Sequence, residues 1–183
     1  MKPLPDTKDP IVLRTDFTDD QAWSRLCTLI TSPIGRDGFE AHVVFVDDAS
    51  FANITPEALC VSTSGKQGHS FIVMADARTF SEPEQTLLVM DLWDEPGRTF
   101  RALPTRIQAI ENNLSIANMA FAEFAEAADA DGIFRGFPGE KVDDYSVTTT
   151  PRPPVRKTPS PPKTLLGRSL IYVYKLLRGK PGA

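Results

Sequence analysis

The chain has 183 residues, of which 41% are hydrophobic and 24% charged, a composition typical of globular domains that excludes a wholly disordered chain. The net charge of −4 conceals an asymmetry, because all 24 acidic residues but only 12 of the 20 basic residues precede residue 147. The first 146 residues therefore carry a net charge of −12, which argues against nucleic-acid binding by this part, since neutralising phosphates requires a basic face.

The N-terminal part of the chain contains one strand pattern followed by one helix pattern. Residues 11–16 predict a strand that begins with three apolar side chains. Thr18 and Gln21 have the spacing of a capping box, and the apolar residues after them recur at helical intervals. Cys27 lies on this predicted helix, and its spacing to Cys60 fits no metal-binding pattern, which indicates two ordinary core thiols.

Three further strand patterns follow, at residues 39–47, 69–76 and 87–91. Between the first two of these, Thr55 precedes Pro56, and this pair predicts a short helix with a threonine cap and proline in its first turn. The alternation of strands and helices is typical of a sheet whose strands run parallel.

After the fourth strand the pattern changes to a hairpin and two helices. Residues 94–97 (DEPG) predict a turn, and residues 99–103 predict a short strand that returns from it. Two helical stretches follow Pro104, and residues 132–137 close the domain. We therefore predict an α/β (or α+β) fold, with a mostly parallel central sheet of four to five strands flanked by helices.

Four predicted strands end on aspartates, which are Asp16, Asp47, Asp76 and Asp91. If these strands are parallel neighbours, their carboxylates share the edge at which parallel sheets bind ligands. The repulsion between these carboxylates would then have to be offset by a positive charge. The charge would come from a divalent cation such as magnesium, with Asp16, Asp47 and Asp91 as metal ligands, or from an arginine, the candidates being Arg14, Arg98 and Arg101. The alternative is that each aspartate caps a helix or a turn, which requires no ligand.

Other catalytic patterns are missing from the sequence, which has no Gly-x-Ser-x-Gly elbow, phosphate-binding loop or dinucleotide-binding glycines. His42 and His69 both lie in predicted strands, where a structural role is more frequent than a catalytic one. Residues 94–98 favour a plain hairpin turn, with an exposed recognition loop as the alternative. The candidate interaction residues in and after this turn are Asp94, Glu95, Arg98 and Arg101.

Residues 111–118 (ENNLSIAN) contain three asparagines, which are weak helix formers. They favour a corner between two helices, with Asn118 capping the second helix. The alternative is that their amides contact a ligand.

Five blocks of sequence carry a resemblance to a known family, namely residues 13–17 (LRTDF), 45–48 (FVDD), 94–101 (DEPGRTFR), 111–119 (ENNLSIANM) and 131–137 (DGIFRGF). Together they resemble an uncharacterised family of small bacterial domains, mainly actinobacterial, over about residues 8–137. The resemblance implies no particular activity, cofactor or catalytic residue. The chain departs from the family pattern at Ala120, where an acidic residue is more usual.

The C-terminal part differs in composition from the rest, and we predict an acidic domain over residues 1–146, a disordered proline-rich linker over 147–163 and a basic amphipathic segment over 164–183. A helix over residues 164–178 would be too short to cross a bilayer. It would lie on an anionic membrane surface or dock on a protein partner, with packing on its own domain or disorder as alternatives. Its candidate interaction residues are Leu166, Leu170, Tyr174 and Leu177.

These patterns favour a non-catalytic interaction module that binds a protein partner. The N-terminus has no signal-peptide pattern, so we expect the chain to be cytoplasmic, with the C-terminal segment placing it peripherally at a membrane. No cofactor is expected unless the aspartate edge holds magnesium. Two alternatives remain, a metal-dependent enzyme acting on phosphate esters at that edge and a toxin-neutralising, immunity-like acidic protein.

Overall fold

Six strands form one mixed sheet in the computed structural model, which describes residues 2–35, 37–63 and 68–140. In chain order the strands are β1 (Ile11–Arg14), β2 (Val44–Val46), β3 (Phe71–Ala75), β4 (Leu87–Asp91), β5 (Thr99–Ala102) and β6 (Ile133–Phe134). Their spatial order is β2-β1-β3-β4-β5-β6. β1 is parallel to both β2 and β3, and β5 is parallel to β6, whereas β4 is antiparallel to β3 and β5.

The predicted α/β class is confirmed, but the prediction of a mostly parallel sheet of four to five strands is wrong. The reason lies in the connections on either side of β4. A parallel neighbour requires a crossover of a dozen or more residues, usually containing a full helix. The connection over residues 76–86 contains only the five-residue helix α3 (Ala77–Ser81), and a tight turn joins β4 to β5. Both connections reverse the chain, so β4 points opposite to its neighbours.

The other helices are α1 (Asp20–Thr31), α2 (Pro56–Thr63), α4 (Ile107–Ser115) and α5 (Phe121–Glu126), and single 3-10 turns occur at Ala49–Phe51 and Pro104–Arg106. The predicted cap of α2 is confirmed, because the Thr55 hydroxyl accepts the amide of Ala58 at 3.2 Å. The predicted capping box of α1 is wrong. Asp19 rather than Thr18 caps this helix, and its carboxylate accepts the amide of Ala22 at 2.8 Å.

Two hydrophobic clusters cover the two faces of the sheet, because successive side chains of a strand point to opposite faces. The first cluster contains Val12 and Val73 together with apolar residues of α1, α4 and α5. The second contains Ile11 and Ile72 and packs under the Ala49–Phe51 turn and α2. The sheet is therefore the middle layer of three.

The predicted corner between α4 and α5 is confirmed. The Asn113 side chain donates to the carbonyl of Ala109 at 2.8 Å and accepts the Asn118 side-chain amide at 2.7 Å. Asn118 is not the cap of α5, however. The N-cap position is Ala120, whose amide is bound by the Glu123 carboxylate at 2.8 Å.

Residues 141–183 lie outside the described residues, so the predictions for the proline-rich linker and the basic amphipathic segment, including Leu166, Leu170, Tyr174 and Leu177, stay predictions. Within the part of the chain that the structure describes, no helix combines the length and the apolar character needed to cross a bilayer.

Candidate functional site

The edge at which β1, β2 and β3 end, here called the carboxyl edge, is organised around a buried arginine. Arg14 is only 2% exposed. Its guanidinium lies 3.2 Å from the Asp47 carboxylate and 2.7 Å from that of Asp20, and its Nε donates to the carbonyl of Asp16 at 2.9 Å. The Phe17 ring lies 4.5 Å from the guanidinium carbon, a cation–π distance. Arg14 thus supplies the positive charge that the aspartates of this edge require.

The other predicted aspartates of the carboxyl edge have structural partners. One Asp16 carboxylate oxygen accepts the amide of Thr18 at 2.9 Å, so this residue stabilises the turn before α1. Asp76 caps α3 by accepting the amide of Thr79 at 3.0 Å, and it forms an ion pair with Arg101. Because Arg101 is buried, it is a structural residue and not the surface contact predicted from the sequence.

A third arginine, Arg135, follows β6 at the same edge. Its guanidinium pairs with Glu84 at 2.6 Å, and with Asp129 and Asp131 at 2.8 Å each. These hydrogen bonds, led by that to Glu84, raise the pKa of Arg135 above its ordinary value. Most of the carboxylates described here at the carboxyl edge are therefore paired with arginines of the same domain.

Cys27 lies on α1 beside this arrangement. Burial of the thiol, with a smaller contribution from the negative charge of Asp47, raises its pKa to about 11. At neutral pH the thiol is protonated, and a protonated thiol is a poor nucleophile. Cys27 and Cys60 are both half-buried, so the prediction of two core thiols is only approximate.

Asp91 does not join the carboxyl edge. It pairs in register with Phe71, the first residue of β3, and therefore lies at the opposite edge of the sheet. Asp16, Asp47 and Asp91 are thus not brought together as a metal site, because β4 runs antiparallel. Among the described residues, no group of three or more His, Cys, Asp or Glu side chains is placed to hold a metal ion.

At the opposite edge, Asp91 organises the hairpin turn between β4 and β5. The side chain is buried, and its two carboxylate oxygens accept the backbone amides of Trp93 at 2.7 Å, Asp94 at 3.2 Å and Glu95 at 2.9 Å. The amide of Gly97 binds the Asp91 carbonyl at 2.9 Å, and Gly97 has a φ of +93°, which a residue with a side chain rarely adopts. We call residues 91–98 the Trp93 loop.

The Trp93 loop presents an indole to solvent. Trp93 is 64% exposed, whereas the other tryptophan, Trp23, is buried in the first hydrophobic cluster. Asp94 and Glu95 follow it on the exposed part of the loop. Arg98 pairs with Glu95 at 2.7 Å and approaches Glu126 at 3.4 Å. Of the interaction residues predicted from the sequence, the structure thus brings together Asp94, Glu95 and Arg98.

Trp93 was not among the interaction residues predicted from the sequence, because it lies between the predicted strand of residues 87–91 and the predicted turn of residues 94–97. The signal that could have identified it is its position beside a proline- and glycine-containing turn, where side chains are usually exposed.

A family model covers almost all of these elements. The model described as "Domain of unknown function (DUF6924)" matches residues 9–137. The chain belongs to this family. The matched region runs from the start of β1 past the end of β6, so both edges of the sheet are parts of the DUF6924 domain. The predicted resemblance to an uncharacterised domain family is thereby confirmed, whereas the bacterial, mainly actinobacterial origin of that family stays a prediction. A comparison with curated proteins gave no match.

Proposed function

We propose that the DUF6924 domain of this chain is a protein-interaction module and that the Trp93 loop is its contact surface. The observation that carries the proposal is an exposed tryptophan on a loop that a buried carboxylate holds in place. Tryptophan is among the residues most enriched at the energetic centres of protein interfaces. A loop that is already ordered avoids part of the entropy cost of binding.

The charges around Trp93 favour a basic partner. Asp94, Glu95 and Glu126 are exposed acidic side chains, and Arg98 is the one basic residue within the Trp93 loop. Among the described residues, Asp94 has no ion-pair partner. The net charge of −12 over the first 146 residues would also attract a basic partner over longer distances at low ionic strength.

The C-terminal segment would supply a second attachment. Residues 147–183 carry eight Lys or Arg and no acid, and residues 164–178 have the amphipathic pattern of a helix that binds an anionic membrane surface. The chain would then present the Trp93 loop to its protein partner from a membrane. The toxin-neutralising hypothesis is one form of the same proposal, in which the basic partner is a toxin.

Selection from a phage-displayed random peptide library on the immobilised full chain tests the proposal. We expect the selected peptides to be rich in Lys and Arg and to bind the Trp93→Ala variant at least about tenfold more weakly. Phe39→Ala is the matched control, because Phe39 is a 60% exposed aromatic residue outside the loop. Peptides that bind Trp93→Ala and wild type equally would contradict the proposal.

A further inference from the structure

We propose that the cleft beside the Trp93 loop receives one lysine or arginine side chain of the basic partner. This inference rests on the proposed function and adds the part of the surface that would recognise a single cationic side chain. The cleft has a volume of about 550 Å³, within the range of about 300–1,000 Å³ of ligand-binding clefts.

Among the described residues, three parts of the chain line the cleft. Leu92, in the Trp93 loop, lies on one side, and the N-terminal segment of residues 2–6 lies on another. The other lining residues that the structure describes include Ser62 and Thr63, the last two residues of α2, and His69, just before β3. Because Leu92 and Trp93 are consecutive residues, the cleft adjoins the Trp93 loop.

The hydroxyl groups of Ser62 and Thr63 offer hydrogen-bond acceptors to the cleft. The hydroxyl of Ser62 donates to the carbonyl of Leu59 at 2.8 Å, and the hydroxyl of Thr63 donates to the same carbonyl at 3.0 Å. Since each hydroxyl has only one proton, only its lone pairs remain for a ligand. These residues also form the C-terminal end of a helix, where the helix dipole favours a positive charge.

Asp6 and Lys2, the ionisable residues of the N-terminal wall among the described residues, are also compatible with a positively charged ligand. Asp6 is exposed and adds a carboxylate to the cleft. Lys2 is the cation of this wall among the described residues, and its ammonium group already has a carboxylate partner, Asp48, at 2.5 Å. That pairing also holds the pKa of Asp48 well below its ordinary value.

His69 leaves a further acceptor. Its Nε2 lies 3.3 Å from the carbonyl oxygen of Pro5 and must donate to it, because a carbonyl can only accept. In the neutral imidazole, Nδ1 is then an acceptor.

The apolar wall suits the aliphatic part of a long basic side chain. Leu4 and Leu92 line the cleft and pack on the second hydrophobic cluster. Lysine and arginine bind well where their methylene groups contact apolar surface and their charged end reaches polar groups. We therefore infer that the stem lies along these leucines and that the charged end meets the acceptors of α2 and Asp6.

Saturation-transfer NMR on the full chain tests this inference with N-acetyl-arginine methylamide as the probe. The neutral isostere N-acetyl-citrulline methylamide is the ligand control. We expect the arginine compound to bind at least about fivefold more tightly than the citrulline compound, because only the former carries a charge. Equal binding of the two compounds, or no binding of the arginine compound, would overturn the inference.

A pair of lysine substitutions on α2 localises the binding. Ser62→Lys places a like charge in the cleft and should weaken binding of the arginine compound at least about tenfold. Val61→Lys is the matched control, because Val61 is 77% exposed on the same helix and does not line the cleft. Circular dichroism would establish that both variants fold. A Ser62→Lys variant that binds like Val61→Lys would refute the cleft as the site.

The failures of the two proposals are distinguishable. Trp93→Ala should weaken binding of the selected peptides at least about tenfold yet leave binding of the arginine compound within about twofold of wild type, since Trp93 is not among the residues that line the cleft. Trp93-dependent peptide binding with no binding of the arginine compound would refute the cleft alone.

Discussion

Replacing Asp91 tests whether a buried carboxylate holds the Trp93 loop in place. In Asp91→Asn one oxygen becomes an NH₂ group, so a donor faces either the Glu95 amide or the amides of Trp93 and Asp94. At least one hydrogen bond to a charged acceptor is lost, which costs about 1.5–3 kcal/mol of unfolding free energy. Asp91→Ala removes all three bonds and should cost about 3–5 kcal/mol.

Urea unfolding followed by circular dichroism measures this effect. With a slope of about 2 kcal/mol per molar urea, Asp91→Asn should lower the midpoint by about 1 M. Asp94→Asn is the matched control, because this exposed carboxylate forms no ion pair among the described residues and its loss should change stability by less than about 0.5 kcal/mol. If Asp91→Asn unfolds within about 0.5 kcal/mol of wild type, the carboxylate does not organise the loop and the reasoning is refuted.

Three further predictions concern the capping of α5, the thiol of α1 and the C-terminal segment. Ala120 has extended backbone angles at the N-cap of α5 and no side chain that can cap, so Ala120→Asp should raise the unfolding free energy by about 1 kcal/mol, measured in urea. Burial first and then Asp47 raise the pKa of Cys27 from 9.0 to about 11, so its alkylation by iodoacetamide, followed by mass spectrometry, should accelerate mainly as the pH approaches 11 and should be faster in Asp47→Asn. The folded chain holds this proton more tightly than the unfolded chain, so the thiol's contribution to stability is present below pH 9 and is lost between about pH 9 and 11. Deletion of residues 147–183 should abolish co-sedimentation with phosphatidylserine vesicles, and retained co-sedimentation would contradict the membrane role of the C-terminal segment.

Hydrophobic periodicity was sufficient to locate the elements but not to orient β4. Residues 87–91 form an apolar run of the kind found in buried parallel strands, and such a run has no polarity that reveals its direction. The direction of β4 could be inferred from the connections before and after this strand. The hairpin turn after the strand was predicted correctly, and the short connection before it, over residues 76–86, leaves no room for a parallel crossover.

The aspartates show why a candidate site is harder to predict than an element. Asp16, Asp76 and Asp91 each follow or end an apolar run in the sequence, yet they bind a turn, a helix end and a hairpin loop respectively. The sequence offered both the ligand and the capping interpretations, and only the positions of the amide donors decide between them. Two of the three candidate arginines pair with these aspartates, Arg14 with Asp47 and Arg101 with Asp76, whereas Arg98 pairs with Glu95 at the opposite edge.

The two edges of the sheet differ in how their charges are used, and this difference favours the opposite edge as the functional one. At the carboxyl edge Arg14, Arg101 and Arg135 each pair with carboxylates of the same domain, so a partner that bound those carboxylates would have to displace an existing ion pair. At the opposite edge Arg98 pairs with Glu95 and Glu126, but Asp91 binds backbone amides, and the exposed Asp94 forms no ion pair among the described residues. A partner that contacts Trp93 and Asp94 can bind without displacing an ion pair, because the buried carboxylate of Asp91 orders the loop and these two exposed side chains do not.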